Sequence, residues 1–310
     1  MSSVNTNASA LVALQNLNRT NERLELAQNR ISTGLKVQGA KDNAAVWAVA
    51  QNQRADLGSY DTVKTSLNRA TSITDVSLAA GESISDLLVQ LRQKATAAAD
   101  PSASLATRTA YNDEFQSLLE SLQSFAKNAT FDGENILNGQ VNGVAVNPAT
   151  PAALTPLSFL ANAGAQEFIT LNRQNFSLEG LGLSTVGTPA VVDDPATVPD
   201  ESAPAVPGVR PSLLTKAGAD AALTAVTTAL TTVSSGLAEL GAQAKQIESH
   251  NLFVSKLMDS LETGIGNLVD ADLAKESARL QALQVQQQLG VQALSIANQA
   301  PQAILSLFQN

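Results

Sequence analysis

The sequence predicts a mainly α protein: a long antiparallel coiled-coil or helical-bundle rod built from both chain ends, with a small loop-rich or β-hairpin-containing segment in the middle. Three observations predict it. Apolar residues recur at heptad spacing towards both ends of the chain. Nine of the eleven prolines fall between Pro148 and Pro211. Aromatic residues make up only 4%, so Leu, Val, Ile and Ala must do the packing.

The elements follow in chain order. Leu14, Leu17, Asn21, Leu24, Gln28, Ile31 and Leu35 step by three and four, which predicts a first helix with two amides on its stripe. "RISTGLKVQGAKDNAAVWAV" (30 to 49) then interrupts it, because Gly34 and Gly39 let the backbone leave the helix. Ala70, Ile73, Ser77, Ala80, Ile84, Leu87 and Leu91 predict a second helix, with Trp47 in the core near its start. "ADPSAS" (99 to 104) is a tight connection. Tyr111, Phe115, Leu118, Leu122, Phe125 and Ala129 predict a third helix running back along the second.

"FDGENILNG" (131 to 139) reads as tight turns, with Gly133 and Gly139 supplying permissive backbone. "QEFITLNRQNFSLEGLGL" alternates enough for one hairpin, and "VVDDPATVPDESAPAVPGVRP" is a Pro-rich acidic loop. The strongest periodic signal comes next. From Leu223 through Val226, Leu230, Leu237, Ile247, Val254 and Leu261 to Leu268, the three-four steps never break, and thirteen of fourteen positions are apolar. Ile84, Leu91, Phe115, Leu122, Leu230, Leu237, Ile247, Val254 and Leu261 are therefore expected on the bundle seam. In the last helix Leu273, Leu280, Leu283 and Leu294 lie on one stripe, and Val285, Leu289 and Ile296 on another. Pro301 is expected to end or kink it. Two terminal helices with this much apolar surface cannot bury it on each other alone.

The same residues exclude several classes. A net charge of -9 without a Lys/Arg stripe argues against nucleic acid. Without cysteine there is no disulfide or Cys-based metal site. The N-terminus lacks a basic region and a clean apolar run, so no secretory signal is expected, and no membrane span is expected either. His250 is the only histidine, which excludes a His-dependent triad or a two-His metal site; it reads as a side chain flanking the seam. Asp270 and Asp272 are two apart and do not share a helix face. "DGEN" is too short for a calcium loop, and no phosphate-binding glycine motif occurs. No catalytic constellation and no cofactor are expected.

Three blocks carry a family resemblance. "RISTGLKVQGAKDNAA", "TFDGENILNG", and "LGAQ" followed by "DADLAKESARLQALQVQQQLGVQALSIANQAPQAILSLF" resemble the N-terminal signature, the Asx-Gly turn and the C-terminal block of bacterial flagellin, in the short alphaproteobacterial-like form. The likeness covers about 140 N-terminal and 100 C-terminal residues, in the right order. It implies a structural subunit, not an enzyme, that polymerises into the extracellular flagellar filament. Residues 1–44 and 270–310 would form the inner core, 45–140 and 212–269 the outer-tube bundle, and 141–211 a variable surface segment.

In that arrangement Leu14, Leu17, Leu24, Ile31, Leu35, Leu273, Leu280, Leu283, Leu289 and Leu294 would pack the inner core. Gly34, Lys36, Gly39, Lys41 and Asp42 would form the spoke between tubes and an inter-subunit junction. The implied partners are further copies, alone or mixed with other flagellins, together with the export machinery, an export chaperone, the filament cap and hook–filament junction proteins. Export through the flagellum would need no cleaved signal. Ser177, Ser184, Thr185, Thr188 and Thr197 are candidates for O-linked sugars, whereas the Asn-x-Ser/Thr spacings at Asn18, Asn128 and Asn175 read as chance. "LLVQLRQKA" (87 to 95) has Leu87 where receptor-activating flagellins carry arginine, although Leu91 and Glu114 match, so weak innate-receptor activation is expected. A hook–filament junction protein and a coiled-coil adaptor are the alternative readings.

Overall fold

The structure, a computed structural model, describes residues 7–141, 144–145, 154–183 and 211–307. Among these, five helices hold most of the chain: α1 (Ala8–Thr33), α2 (Ala44–Ala98), α3 (Leu105–Asn128), α4 (Lys216–Val269) and α5 (Leu273–Leu307). Four short strands, β1 (Gln140–Val141), β2 (Val144–Ala145), β3 (Leu157–Leu160) and β4 (Phe168–Leu171), form two separate antiparallel hairpins. Each helix starts on a side chain that accepts an otherwise unpaired backbone N–H. Asn7 takes Ala10, Asn43 takes Val46, Ser104 takes Thr107, Thr215 takes Gly218 and Asp272 takes Lys275.

The chain divides into two compact units, Met1–Gly58 with Leu257–Asn310, and Ser59–Lys256. The division falls inside α2 and α4.

In the second unit α2, α3 and α4 pack as an antiparallel bundle. Asn251 Nδ2 of α4 donates to Asn68 Oδ1 of α2 at 2.8 Å, and Gly81 of α2 lies against Leu237. The paired numbers run in opposite directions along the two helices. Lys94 of α2 reaches both the Glu114 carboxylate and the Tyr111 ring of α3. The connecting turn is held by Asp100, whose carboxylate accepts from the backbone N–H and the hydroxyl of Ser102, both at 2.8 Å; these bonds hold its carboxyl below the usual range.

The buried line of α2 is Val63, Leu67, Ala70, Thr74, Ser77, Gly81, Ile84, Leu88, Leu91, Ala95 and Ala98, an unbroken series of four-three steps. Ala70, Ile73, Ser77, Ile84 and Leu91 of the expected seam are buried, whereas Ala80 and Leu87 are covered less completely than their neighbours Gly81 and Leu88. On α3 the same happens: Phe115, Leu119, Leu122 and Ala126 are buried, while Phe125 is exposed. On α4 the shift is the other way, with Val226, Ala229, Val233, Gly236, Leu240, Ile247 and Val254 buried and Leu230 and Leu237 half-buried. Large and small residues alternate along these lines, Ala70, Gly81, Ala95, Ala126, Ala229 and Gly236 lying beside buried Leu, Ile, Val and Phe. By length and mean hydropathy α4 could cross a membrane, but its inner stripe is taken by this core.

In the described parts of 131–183 two buried side chains stand out: Phe176 docks on the bundle, and Arg173 ties the segment to itself. Phe176 is fully buried between α2 and α4: a Cβ on Gly236 would stand 2.7 Å from its ring, and one on Gly81 3.4 Å. Arg173 donates to the Thr155, Asn135 and Gln140 carbonyls at 2.9–3.2 Å and to Glu134 Oε2 at 2.8 Å. The expected turns at Gly133 and Gly139 have φ of +79° and +66°, the left-handed region glycine permits. The hairpin expected downstream of Gln166 pairs Phe168–Leu171 with an upstream strand, Leu157–Leu160. His250 joins it to α4, its Nε2 lying 2.7 Å from the Ala161 carbonyl.

Candidate functional site

In the first unit α1 and α5 lie antiparallel, and four contacts fix their register. Asn7 Nδ2 donates to the Ala297 carbonyl at 2.7 Å. Leu17 packs on Gly290, where a Cβ would come within 3.2 Å of it. Gln287 Nε2 donates to Asn21 Oδ1 at 2.9 Å. Arg30 pairs with Glu276 at 3.1 Å.

The facing stripe of α5 is Glu276, Leu280, Leu283, Gln287, Gly290, Leu294 and Ala297, again in four-three steps. Polar and small residues share it with leucine, so it is narrower than either stripe expected from the sequence. Asn21, one of the two amides on the first stripe, has Gln287 as its partner. Glu276 was not anticipated. It is 8% exposed, takes Arg30 on Oε1 and leaves Oε2 buried without a partner.

The expected inner-core residues divide in two. Leu283 is buried against α1, and Leu17, Leu24, Ile31, Leu35, Leu280 and Leu294 are half-buried. Leu14, Leu273 and Leu289 are exposed, together with Leu11, Val12, Leu26, Val285, Val291 and Ile296. One face of each helix is thus closed by the pair; outside it α5 leaves Val285, Leu289 and Ile296 bare, and α1 leaves Leu11, Val12, Leu14 and Leu26 bare among polar residues. Nor does α5 end at Pro301. It continues to Leu307, although the ring removes the N–H that would have served the Ala297 carbonyl. Asn7 supplies the missing donor at that carbonyl.

The interruption between α1 and α2 is an ordered junction. Gly34 ends α1 in the left-handed conformation at φ +72°, its N–H bonded to the Arg30 carbonyl. The next residues pair with the α4–α5 connection: Lys36 N–H and Val37 N–H donate to the Val269 carbonyl, and Ala271 N–H to that of Gly34. Val37, Ala50, Ile265 and Val269 form a small core, with Leu35, Val46, Trp47, Leu57 and Leu268 around it. Trp47 therefore lies where a core role was expected. Asp42 turns inward on the loop, accepting from the Gln38 and Gly39 N–H groups at 2.9 and 3.3 Å. Lys36 and Lys41 are exposed.

Ser177, expected on an exposed sugar-bearing surface, is 8% exposed and donates its hydroxyl to Asn175 Oδ1 at 2.6 Å. Ser184, Thr185, Thr188 and Thr197 lie outside the described residues.

Comparison with known proteins gives a consistent result. Residues 4–142 match the bacterial flagellin N-terminal helical region, and residues 223–308 the C-terminal helical region. Flagellin FljK of Caulobacter vibrioides is 45% identical over 100% of this chain and 99% of its own length. Flagellin of Brucella melitensis is 38% identical over the whole of both chains, and flagellin C of Rhizobium meliloti 34%. A Bacillus cereus flagellin crystal structure aligns with 61% of this chain and 87% of its own at 17% identity and a TM-score of 0.45, too loose a match to add to the fold described above. With both terminal regions matched and relatives aligned from end to end, the chain belongs to the bacterial flagellin family and is a structural subunit of the extracellular flagellar filament.

Proposed function

We propose that this flagellin polymerises through the outward faces of α1 and α5, residues 1–44 and 270–310 forming the inner core of the filament. The observation that carries this reading is the set of large apolar side chains the pair leaves bare, with Leu11 59%, Leu289 58% and Ile296 69% exposed in a single chain. Burying each large apolar side chain between copies contributes roughly 1.5–3 kcal/mol, offset by the cost of ordering the helices. Copies joined head to tail without closing a ring extend as a helical polymer. The ordered junction at residues 34–42 is the spoke to the bundle, which with residues 45–140 and 212–269 forms the outer tube; residues 141–211 are its variable surface.

The chain has no enzymatic activity on this reading. It leaves the cell through the flagellum's own export channel, without a cleaved signal. Its apolar terminal faces need shielding before assembly, a task that suits an export chaperone, while the filament cap and hook–filament junction proteins meet the same faces at the two ends of the polymer. Other flagellins sharing these faces co-assemble with it.

Electron microscopy of the full chain beside a version lacking 1–44 and 270–310 tests the proposal. Long uniform filaments from the first and only monomers from the second are expected. Discrete small oligomers from both would refute it.

A further inference from the structure

The stretch "FDGENILNG" holds two bonds with the same latent chemistry, Asp132–Gly133 and Asn138–Gly139. In each, the glycine nitrogen can attack Cγ of the preceding side chain, since glycine sets no side chain in the way. The N–Cγ bond forms, the nitrogen gives its proton to solvent, and water leaves the Asp carboxyl or ammonia the Asn amide. A five-membered imide remains, and water opens it at either carbonyl. One opening gives aspartate; the other gives isoaspartate, whose backbone runs through Cβ and Cγ. In an unfolded peptide the asparagine bond reacts faster, because ammonia leaves a neutral amide more readily than water leaves an ionised carboxyl group.

The fold reverses that order. Asp132 and Gly133 are the exposed tip of a two-residue turn, with φ of +53° and +79°. Phe131 and Glu134 close it by exchanging N–H···O bonds at 2.9 and 3.0 Å. Arg69 Nε of α2 lies 2.8 Å from Asp132 Oδ2, the two side chains being 48% and 61% exposed. Asn138 and Gly139 are enclosed instead. Asn138 Oδ1 accepts from the Gln140 N–H at 2.9 Å, and the Asn138 N–H donates to Asn135 Oδ1 at 3.1 Å. Asn138 also bridges to Asn175, and a Cβ on buried Gly139 would meet the Asn175 side chain at 2.4 Å. Closing the imide ring requires the backbone to leave its native conformation. At Asp132 only the tip of a turn must open, whereas at Asn138 a layer resting on buried Ile136 and Leu137 must come apart.

We propose that Asp132 is a site of isoaspartate formation in the folded chain, that Asn138 is shielded from the same reaction, and that Arg69 slows it by holding the carboxyl group against α2. The reaction uses water alone and needs no enzyme. It adds one backbone carbon to a turn closed by Glu134, whose carboxylate also takes Arg173, so it loosens the ties of this segment as the protein ages. The inference stands apart from how the chain polymerises.

Purified full-length chain is kept for weeks at neutral pH, native and in urea, and then digested. Electron-transfer fragmentation, which cleaves the Cα–Cβ bond of isoaspartate, locates the change. In the native chain, change at Asp132 should exceed change at Asn138 by at least about tenfold, and in urea the order should reverse. Arg69→Gln should speed the native reaction at Asp132 about two- to fivefold, the weight of an exposed ion pair, and leave the rate in urea unaltered. Asp132→Asn places the same chemistry at both bonds, and in the native chain position 132 should deamidate at least about tenfold faster than Asn138. Native chain that changes at Asn138 as fast as at Asp132 would overturn the inference. So would native chain that forms no isoaspartate at Asp132 while the chain in urea does. An Arg69→Gln chain that reacts at the parent's rate would overturn the role assigned to Arg69.

Discussion

Asn7 and Pro301 show how one side chain compensates for another far away in sequence. The proline leaves the Ala297 carbonyl without its helical donor, and Asn7 fills the gap while its Oδ1 caps α1. Asn7→Asp keeps the cap but cannot donate, so it should cost about 1 kcal/mol of stability. In a Pro301→Ala background the helical N–H returns, and the cost of Asn7→Asp should shrink towards zero. A double-mutant cycle by urea unfolding measures the coupling, and equal costs in both backgrounds would refute it. Arg173 is a second case. Lysine in its place supplies one point charge where a fork reaches three carbonyls and a carboxylate, so Arg173→Lys should destabilise by roughly 2 kcal/mol. The same unfolding experiment checks it. Neither residue was legible in the sequence, because neither Asn7 nor Arg173 sits on a periodic stripe; only the fold brings their partners within reach.

At the scale of elements, helix number and order were legible, and the phase of each seam was only half so. The shared positions Ala70, Ser77, Ile84 and Leu91 on α2, Phe115 and Leu122 on α3, and Val226, Val233, Leu240 and Ile247 on α4 lie in the core as read. Between them the eye follows Leu87, Phe125 and Leu230, whereas the core takes Leu88, Ala126 and Ala229. Large apolar residues attract a periodicity reading, but on α3 and α4 an adjacent alanine takes the inner position while Phe125 is exposed and Leu230 half-buried. Gly236 is the sharpest case: it is a core position because Phe176 fills the space a side chain would use. Gly236→Ala is good helix chemistry, worth about 0.8–1 kcal/mol on an exposed face. Here the Cβ meets the ring at 2.7 Å, so the change should destabilise by about 1–3 kcal/mol instead. Thermal melting decides the sign, and Phe176→Leu in the same chain should relieve the clash.

At the scale of the molecule, the terminal sequences announce a subunit and not a finished globule, since their stripes exceed what one pair of helices can close. What the sequence concealed was which residues the pair uses and which it leaves for other copies. Leu283 and Leu289 look alike in a stripe reading, yet the first is 5% exposed against α1 and the second 58% exposed. Their substitutions should therefore separate folding from assembly. Leu283→Asp places a carboxylate in the α1–α5 seam, so the pair should lose helix signal in the monomer and filaments should fail as a consequence. Leu289→Asp touches nothing that the monomer needs. Its melting curve and circular dichroism should match the parent. In the polymer the same change forgoes about 1.5–3 kcal/mol of burial per contact and adds the desolvation of a charge. The free-subunit concentration in equilibrium with filaments should accordingly rise by more than about tenfold, since roughly 1.4 kcal/mol is one decade. Sedimentation of assembled material at graded total concentration reads that value directly, and a Leu289→Asp chain that polymerises like the parent would place the inter-subunit contact elsewhere than on the bare face of α5.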